Sequence, residues 1–600
     1  MSLDGPVLGV QRSLSGRRWV WHGGIWHGGV AGGAERVGLG IAERLGLPEI
    51  VGRLLALRGV DAERAADFLQ PTLRALMPDP SLLAGMDAAA ARLADAAGRG
   101  ETVAVFGDYD VDGACGAALI VRLLRDLGCT VLPYVPDRLA EGYGPNVPAL
   151  LGLAARGASL IVCVDCGTAA ADVFAALGGR AEIVVLDHHK TEAPPPVPAT
   201  VNPNRLDDRS GLGGLCAGAI AFLAAVATVR ALRRSGFFAA RAEPDLMALL
   251  DLVALATVCD VMPLTGLNRA FVAQGLKVMA RRDRPGIAAL LEVAQIRTPP
   301  VAATCGFALG PRINAGGRIS EADMGLRLLL SEDPAEARSL AEMLDAVNRQ
   351  RQQVEAAMLE AAYAEGARQA EAGHAALLVA GAQWHPGVVG IVAGRLKEKF
   401  NRPAAVAGIA DGLAKGSARS VPGLDLGAAV IAARQAGLLA TGGGHAMAAG
   451  FSLPAIGLDA FHAFLDERLA AAALLPAAAD LVVEGTLSVA GTDRALAEQV
   501  ARLAPFGPGN EEPTFAIARA RVARAERVGR EGTSIRAFVA GEAGGERLKA
   551  MLFRAGEGRL PEALLTAAGG LLHLAGHLRA EAWNGSVTVA FIITDAAACD

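Results

Sequence analysis

The stretch VAVFGDYDVDG, residues 103–113, decides the fold of this 600-residue chain. Its first four residues are apolar and predict a buried strand, and residues 114–127 have the pattern of a helix. A short apolar strand that ends in polar residues recurs at 160–165 and at 183–189. Short apolar strands that alternate with helices indicate a parallel sheet with both faces covered.

Polar side chains follow each of these three strands. They are Asp108, Asp110 and Asp112 after the first strand, Asp165 after the second, and Asp187, His188 and His189 after the third. Open α/β sheets place their ligands outside the carboxyl ends of the strands. We therefore expect Asp110, Asp112, Asp165 and His188 to meet at one edge of the sheet.

The acidic turn between Gly107 and Gly113 points to a divalent cation. Asp108, Asp110 and Asp112 alternate, and in an extended backbone alternate side chains point the same way. Crowded carboxylates repel one another unless a cation such as Mg²⁺ or Mn²⁺ neutralises them. An exposed acidic turn is the competing interpretation. An EF-hand is excluded because no Glu stands at the twelfth position.

The segment Asp187-His188-His189 strengthens the metal interpretation, because a carboxylate and two imidazoles at a strand end are a rare grouping. Neighbouring side chains diverge in extended backbone, so we expect His188 to bind metal and His189 to face the substrate and contact a phosphate oxygen. Asp187 is expected to orient one of the imidazoles. Asp260 closes an apolar run at 246–258. It is either a solvated helix end or, as we favour here, a fourth metal carboxylate.

Composition limits the class of protein. A length of 600 residues predicts three or four domains, and 52% hydrophobic residues are typical of a folded protein. The net charge of −5 gives the whole chain no field that attracts nucleic acid, although a local arginine-lined groove remains possible. The eight cysteines form no disulfide framework, and Cys163 and Cys166 are interpreted as small buried residues.

No membrane segment is expected. The uncharged stretch 211–229 opens with a glycine-rich loop, and its helical part, 217–229, is too short to span a bilayer. The N-terminus shows no apolar core with a cleavage site. Together with the scattered cysteines, these features favour a cytoplasmic protein.

The pattern along the chain predicts an α/β protein with two α/β domains, a long helical connector between them and a C-terminal β-barrel. A helix begins at Asp333 and runs, with a possible break, to about Gln369. A second α/β pattern follows and ends in a glycine-rich loop at 441–445, and a hairpin is predicted at 583–586. The predicted divisions are an N-terminal region at 1–75, an α/β domain at 76–330, the connector at 331–370, a second α/β domain at 371–470 and the barrel at 480–600.

At this point the sequence resembles the DHH phosphoesterases. GDYDVDG (107–113), VDCG (164–167), LDHH (186–189) and CDVMPL (259–264) match the four motifs of that family in order. The segments that look like its single-strand-specific exonucleases are VPDRLAEGYG (135–144), GPRINAGGR (310–318), WHPGVVGIVAGRL (384–396), KGSARS (415–420), GGGHAMAAGF (442–451) and LAPFGPGNEEP (503–513). The resemblance covers about residues 75–597. Gly317 and Cys259 depart from the usual residues, and no ligand position is lost.

The resemblance implies two divalent cations, Mn²⁺ or Mg²⁺, that share Asp165. Asp110 would hold one cation, and Asp112, His188 and Asp260 would hold the other. The implied catalytic residues are Asp108, Asp165, Asp187 and His189. Paired cations lower the pKa of a bound water and steady the attacking and leaving oxygens of an in-line displacement.

The resemblance also implies how the substrate is held. Arg138, Arg312, Ser417 and Arg419 would form the pocket for a terminal 5′-phosphate, and His445 would face the metals from the second α/β domain. Taken singly, each arginine is better explained as a member of a surface ion pair. The barrel would be an OB-fold that follows a single strand in a basic groove. A solvated strand face explains its arginines about as well. These are Arg519, Arg521, Arg524, Arg527, Arg530 and Arg536.

The expected function is 5′-to-3′ hydrolysis of single-stranded DNA to mononucleotides in recombination and repair. Single-strand-binding protein and a RecQ-type helicase are the implied protein partners, and a monomer is favoured. One alternative is a small-molecule or oligoribonucleotide phosphodiesterase, which predicts a chain that ends near residue 450. Another is a non-catalytic DNA-binding relative in replication, which predicts eroded ligand positions.

Overall fold

The computed structural model describes residues 5–22, 31–138, 141–191, 193–471, 479–529, 532–583 and 586–599. These residues divide into two compact units. The first unit is Asp67–Arg351 with Ala504–Glu511. The second unit takes in the chain up to Ala66, Gln352–Leu503 and the chain from Glu512 onwards. Each unit is described below by itself.

The N-terminal region is more helical than the sequence pattern predicts. It contains β1 (Trp19–Trp21), α1 (Ala31–Leu45), α2 (Glu49–Leu57), α3 (Ala65–Leu69) and α4 (Leu73–Leu76). Of these elements, the residue pattern predicts only a helix around residues 62–69, which corresponds to α3. Strand β1 pairs in parallel with β12 (Leu481–Val483), and the buried Trp19 donates its indole N–H to Asp595 at 3.0 Å. The N-terminal strand thus belongs to the second unit.

The first unit is built on a parallel five-stranded sheet in the order β3-β2-β4-β5-β6, as the strand pattern predicts. Its elements are α5 (Met86–Arg99), β2 (Thr102–Gly107), α6 (Val111–Asp126), β3 (Thr130–Tyr134), α7 (Val147–Ala155), β4 (Leu160–Val164), α8 (Ala171–Ala176), β5 (Glu182–Leu186) and β6 (Ala199–Val201). All five residues of β4 are buried. Alternate strand residues pack against α6 and the later helix α9 (Ala217–Arg234) on one face, and against α7 and α8 on the other. Both faces are therefore covered, which explains the uninterrupted apolar strands.

The rest of the first unit is helical. It comprises α9 (Ala217–Arg234), α10 (Leu250–Cys259), α11 (Gly266–Arg281), α12 (Pro285–Val293), α13 (Ala302–Thr304), a π-helical turn (Cys305–Leu309), α14 (Gly310–Ile319) and α15 (Met324–Leu330). Helix α9 is the uncharged segment noted above, and its apolar side chains lie in the core under the sheet. Within the described part of the chain, no helix combines the length and apolar character needed to cross a membrane.

One continuous helix, α16 (Pro334–Glu371), occupies the predicted connector without a break. Ala337, Leu340 and Leu344 in its first half lie in the core of the first unit. Met358 and Ala362 in its second half lie in a core of the second unit. The helix is therefore held by apolar contacts along its length, although its sequence is polar overall.

The second unit contains a mixed sheet in the order β10-β11-β9-β8-β7, in which only β7 and β8 are parallel. Its elements are β7 (Leu377–Ala382), α17 (Val389–Phe400), β8 (Ala404–Ala410), β9 (Leu413–Arg419), α18 (Leu426–Gln435), β10 (Thr441–His445), β11 (Ala448–Pro454) and α19 (Leu458–Arg468). The prediction of a glycine-rich loop at 441–445 was wrong. This segment is the edge strand β10, and Gly442–Gly444 pair with β11.

The C-terminal region closes into the predicted barrel. After β12, β13 (Gly485–Leu487) and α20 (Arg494–Ala501) come β14 (Phe515–Val528), β15 (Ser534–Gly541), β16 (Gly544–Leu552), α21 (Arg559–Thr566), β17 (Leu571–Trp583) and β18 (Ser586–Ala598). The order β14-β15-β16-β18-β17 returns to β14 through a β14–β17 pairing, which closes the sheet. The hairpin pairing Trp583↔Ser586 is present, and the predicted turn residues 584–585 lie outside the described residues.

The cysteines are free thiols, as the sequence predicts. Cys163 and Cys166 are buried, and Cys163 packs in the core between the sheet and α7 and α8. The hydrogen bond with Cys163, and then burial, raise the pKa of the Cys166 thiol.

Candidate metal centre

The first acidic motif folds as a helix start rather than as an extended turn. Asp110 is the N-cap of α6, and its carboxylate accepts hydrogen bonds from the N–H groups of Asp112 at 2.9 Å and Gly113 at 3.1 Å. Asp112 lies in the first turn of α6, so it does not alternate with Asp108 and Asp110 along an extended chain. The alternation argument was therefore wrong, because N-capping turns the backbone into a helix immediately after Asp110.

Asp112 is fixed by a second helix. Its carboxylate accepts from the backbone N–H groups of Ala217 at 2.7 Å and Gly218 at 2.8 Å, at the beginning of α9. A helix N-terminus carries unpaired N–H donors and a positive dipole end, which stabilise a carboxylate there. Asp112 is 2% exposed, and the imidazole of His188 and these two donors together offset the burial of its carboxylate.

Asp165 stands at the end of β4 in a strained backbone conformation. Its φ is 63°, a region that residues other than glycine seldom adopt. Its N–H donates to the Leu186 carbonyl at 2.9 Å, and its carbonyl accepts from the Tyr143 hydroxyl at 3.0 Å. The carboxylate is buried, and its Oδ1 has no hydrogen-bond partner. Backbone strain at such a residue is characteristic of functional sites.

Asp187 organises the histidine pair. Its carboxylate accepts from the backbone N–H groups of His188 at 2.7 Å and His189 at 3.1 Å. It also lies 2.7 Å from His189 Nδ1, and it accepts from the Thr168 hydroxyl at 2.6 Å. The imidazole that it contacts is therefore that of His189. The expected divergence of the two histidines was wrong, because their ring centroids are 4.8 Å apart in a T-shaped contact.

The donor atoms converge in three overlapping groups, each with its atoms within 4.8 Å of one another. These are Asp108, Asp110 and Asp165; Asp112, His188 and Asp260; and Asp165, His188 and His189. His188 Nε2 lies 3.3 Å from Asp165, 3.6 Å from Asp260 and 3.8 Å from Asp112. All the predicted metal ligands are thus brought together by four separate chain segments.

The residues present fit divalent cations. Asp108 Oδ1, Asp165 Oδ1 and Asp260 Oδ2 are buried oxygens without a hydrogen-bond partner. A buried carboxylate oxygen with no donor is costly, and oxygens with an imidazole form the set that Mn²⁺ accepts. The ligand types therefore suit a divalent cation, and three of their buried oxygens have no hydrogen-bond donor to take the place of one.

The pKa values of the cluster reflect its burial and the crowding of its carboxylates. Burial, and then the charge of Asp110, raise the pKa of Asp108 to about 8. Burial, and then Asp112 and Asp110, raise the pKa of Asp260 to about 8. Burial also raises the pKa of Asp112 and of Asp165. A nearby cation would reverse these shifts, because it favours the charged form of each carboxylate.

Asp187 behaves in the opposite way. Burial on its own would raise the pKa of its carboxyl, but the hydrogen bonds and charge of His189, with the Thr168 hydrogen bond, lower that pKa to about 2. The Asp187 contact raises the pKa of His189 against the effect of burial. The pair is therefore held as an oriented carboxylate and imidazole, and the His189 side chain is 43% exposed.

Two of the predicted substrate residues belong to the first unit and have partners. The Arg138 guanidinium lies 5.1 Å from the ring centroid of Tyr109, which is next to the acidic motif. Arg312, in α14, pairs with Asp345 at 2.9 Å and donates to the Ala308 carbonyl at 2.7 Å. The ion-pair explanation given above for a single arginine thus describes the contacts of Arg312.

The other three predicted substrate residues belong to the second unit. Ser417 and Arg419 lie on β9, and Arg419 Nη1 donates to Ser417 Oγ at 2.9 Å and to the Ala418 carbonyl at 3.0 Å. His445 ends β10 and is paired in register with Ala448 on β11. Burial lowers the pKa of Arg419, and among the described residues no carboxylate forms an ion pair with it.

Gly390 is a residue of this region that the sequence reasoning missed. A Cβ at Gly390 would stand 3.2 Å from both Arg419 Nη2 and Ser417 Oγ. Gly390 is in the first turn of α17, so glycine lets these two side chains approach the beginning of the helix. Arginine, a hydroxyl and a helix N-terminus together are typical of an anion site.

The arginines of the barrel are largely paired. Arg519 pairs with Glu542 at 2.8 Å, and Arg524 and Arg536 share Glu526. Arg521 and Arg527 donate to backbone carbonyls. Arg530 lies outside the described residues. The local basic excess is therefore partly neutralised within the barrel.

The sequence reasoning also missed two asparagines that bind the backbone carbonyls of the two histidines. The buried Asn202 donates to the His189 carbonyl at 2.8 Å and to the Thr168 hydroxyl at 3.1 Å, and Asn204 donates to the His188 carbonyl at 2.6 Å. Both asparagines directly follow β6. The rule that ligands gather at strand ends could have found them, as it found Asp165.

Comparison with known proteins agrees with this site. Family models match the DHH family N-terminal domain at residues 102–257, the DHHA1 domain at 373–471 and the RecJ OB domain at 483–595. A Dickeya dadantii protein named "Single-stranded-DNA-specific exonuclease RecJ" is 41% identical over 488 residues, which cover 78% of this chain and 83% of that protein. A Bacillus subtilis protein of the same name is 34% identical over 93% of this chain and 69% of its own length.

A solved structure agrees over most of the chain. The structure of RecJ from Thermus thermophilus in complex with Mn²⁺ matches with a TM-score of 0.76 at 30% identity, over 94% of this chain and 78% of that chain. The two α/β regions and the closed barrel occur in the order that the three family models require. The chain belongs to the RecJ family of DHH proteins.

Proposed function

We propose that this protein is a metal-dependent 5′-to-3′ exonuclease that hydrolyses single-stranded DNA to mononucleotides, in recombination and DNA repair. The observation that carries the proposal is the convergence of the donor groups on Asp165, with buried carboxylate oxygens that lack hydrogen bonds. The named activity of the relatives, single-stranded-DNA-specific exonuclease, supplies the substrate class.

In this proposal Asp110 and Asp165, with Asp108 beside them, hold one Mn²⁺ or Mg²⁺. Asp112, His188 and Asp260 would hold a second, and Asp165, which lies 3.3 Å from His188 Nε2, would be shared between the two. Bound cations would supply charge for the phosphate and acidity for a water molecule. The protein supplies the positions. The N-cap fixes Asp110, the start of α9 fixes Asp112, and the end of β4 fixes Asp165.

His189 is proposed to contact a phosphate oxygen. Its ring is partly exposed, and Asp187 holds Nδ1 at 2.7 Å so that the ring has a fixed orientation. The Tyr143 hydroxyl lies 3.1 Å from His189 Nδ1 and also reaches the Asp165 carbonyl. A histidine restrained from two sides loses little freedom when substrate binds, which favours precise placement of the phosphate.

The 5′-phosphate pocket is proposed to contain Ser417 and Arg419, with Arg138, Arg312 and His445 as further contacts. Support is strongest for Arg419. It is partly buried, has no acidic partner among the described residues, and lies beside the first turn of α17. Arg312 would have to share its guanidinium between Asp345 and the phosphate. The barrel is proposed to guide the strand.

The finer biological setting is also part of the proposal. It includes single-strand-binding protein and a RecQ-type helicase as partners, a monomeric state and a cytoplasmic location. The domain divisions at 1–75, 76–330, 331–370, 371–470 and 480–600 remain predictions as well. Support for these statements comes from family resemblance.

The test compares end-labelled single-stranded and duplex DNA in Mn²⁺, Mg²⁺ or chelator. We expect mononucleotides from 5′-phosphorylated single strands only when metal is present. Asp165→Ala should abolish release, and undiminished activity would contradict the metal assignment. Faster turnover of di- and trinucleotides than of long DNA would instead favour an oligonucleotide phosphodiesterase.

A second pair of variants tests the pocket. Arg419→Ala should mainly weaken binding of 5′-phosphorylated ends, by about 1–3 kcal/mol if one charge-assisted contact is lost. The matched control is Arg434→Ala, which removes an exposed arginine from the last turn of α18 in the same unit. If the 5′-phosphate gives the same gain in affinity in Arg419→Ala as in the unmodified protein, the pocket is placed wrongly.

A further inference from the structure

A second cluster of metal-binding side chains lies in the second unit. His374 follows the end of α16, and His462 and Asp466 stand four residues apart on α19. One donor atom from each residue lies within 4.8 Å of the others. Residues four apart on a helix share one face, which is how helices commonly present paired ligands to a metal. None of the three residues has a part in the proposed nuclease chemistry.

Backbone hydrogen bonds at Ala376 orient two of the three donors. The Ala376 N–H donates to Asp466 Oδ1 at 3.0 Å, and the Ala376 carbonyl lies 2.9 Å from His462 Nε2. A carbonyl can only accept, so Nε2 carries the proton and Nδ1 keeps its lone pair. Metal-binding histidines usually donate their other ring N–H to such a carbonyl, which fixes the ring and its tautomer.

The third donor is next to the other two. His374 Nδ1 contacts Asp466 Oδ2, and the rings of His374 and His462 are stacked with centroids 4.6 Å apart. A tetrahedral Zn²⁺ site with bonds of about 2.0 Å needs its donors about 3.3 Å apart, so only small side-chain movements separate the cluster from that geometry. All three residues are partly exposed, which leaves a fourth position to water.

We propose that His374, His462 and Asp466 bind a divalent transition metal ion of the Zn²⁺ class. Two imidazoles and one carboxylate suit Zn²⁺, Ni²⁺ or Co²⁺ better than Mg²⁺, which prefers oxygen ligands. The ion would link the segment before β7 to α19, and so stabilise the edge of this region. It differs in ligand type from the carboxylate-rich centre of the first unit.

The experiment uses the full chain and Co²⁺ as the probe. Tetrahedral Co²⁺ with nitrogen ligands absorbs visible light strongly, whereas six-coordinate Co²⁺ on carboxylates and water absorbs weakly. We expect one equivalent of strongly absorbing Co²⁺, displaced by Zn²⁺, in the unmodified protein and in Asp165→Asn. His462→Phe keeps a stacked ring without a nitrogen donor, and Asp466→Asn keeps an acceptor for Ala376. Each should remove that equivalent.

Controls separate metal binding from folding. His577→Gln, in the barrel, should retain the strong absorption, and circular dichroism should show that all variants are folded. The inference is overturned if the unmodified chain shows no strong band at micromolar Co²⁺, or if His462→Phe retains it. In either case the cluster would be a metal-free contact between His374 and Asp466. Nuclease activity is not the readout, so this result stands apart from the proposed function.

Discussion

Without metal, the Asp165→Asn variant should be more stable than the unmodified chain. With Mn²⁺ present, the variant should be the less stable of the two. The carboxylate of Asp165 is 2% exposed and has neighbouring carboxylate atoms within 4.8 Å. Two unit charges at about that separation repel by roughly 3 kcal/mol where the effective dielectric constant is about 20. Asparagine has the same size, and it tolerates positive φ well, so the backbone at φ 63° is retained.

The net gain is smaller than the sum of the repulsions. Burial raises the pKa of Asp165, so protonation already relieves part of the cost. His188 Nε2, at 3.3 Å, is a favourable neighbour that the variant also affects. We therefore expect a stabilisation of about 1–2 kcal/mol, or a rise in midpoint of a few degrees for a unit of this size.

Mn²⁺ should reverse the order. A ligand at one hundred times its Kd stabilises the folded state by about 2.7 kcal/mol. Asp165 belongs to two of the three donor groups, one with Asp108 and Asp110 and one with the two histidines, so Asp165→Asn should lose most of this gain. Thermal unfolding in chelator and in Mn²⁺ measures both effects. Asp172→Asn, an exposed aspartate of α8, is the control and should leave both midpoints nearly unchanged.

The result that would refute the reasoning is specific. If Asp165→Asn melts below the unmodified protein in chelator, carboxylate repulsion does not dominate the metal-free site. If both proteins gain equally from Mn²⁺, Asp165 is not a ligand. For the reasoning to hold, the variant must have the higher unfolding midpoint in chelator and the lower one in Mn²⁺.

Two further predictions concern residues outside the ligand set. Burial opposes ionisation of Glu484, but hydrogen bonds from His22 and Arg58 hold its pKa below the usual value. Glu484→Gln should cost about 3 kcal/mol near neutral pH. Because the folded pKa is depressed, the difference should shrink in acid unfolding as pH falls through that pKa. Asn202→Ala should lower kcat about 10–100-fold with little change in KM, because Asn202 positions His189 through its carbonyl. A rise in KM as large as the fall in kcat would contradict that positioning role.

The parallel sheet and its active edge could be predicted because both follow from local pattern. Apolar runs of four or five residues gave the strands, and the strand-end rule placed Asp165 and His188 together. Asp260 was different. It is the C-cap of α10, and the sheet rule says nothing about a helix end, so it was singled out as an acidic residue that closes an apolar run.

The contacts that the sequence could not supply are mostly between distant segments. Nothing near Arg312 indicates that Asp345, 33 residues later, will occupy its guanidinium. Nothing in the acidic motif shows that α9 will point its first N–H groups at Asp112. Such partners are set by helix packing, which depends on the whole core rather than on a local pattern.

The extended interpretation of the acidic motif failed for a local reason. Aspartate after a buried strand can continue the chain or cap a helix, and the apolar residues after Gly113 made capping the more stable choice. The consequence is functional. Capping uses one oxygen of Asp110 and turns Asp112 towards a different donor group. A single turn of helix thereby distributes one acidic motif between two groups of ligands, and Asp165 is the residue that must join them.

Because Asp165 lies between the groups of ligands, it combines a strained backbone, a buried carboxylate and repulsion from neighbouring carboxylates. Its backbone adopts φ 63°, its Oδ1 has no hydrogen bond, and its carboxylate faces other acids. Each feature costs stability in the metal-free chain, and a shared cation would offset the last two directly. The four segments that carry the ligands are separated in sequence, and a cation bound at Asp165 would stabilise the alignment that the fold gives them. Metal binding and the geometry of the site should therefore be measured as one linked equilibrium.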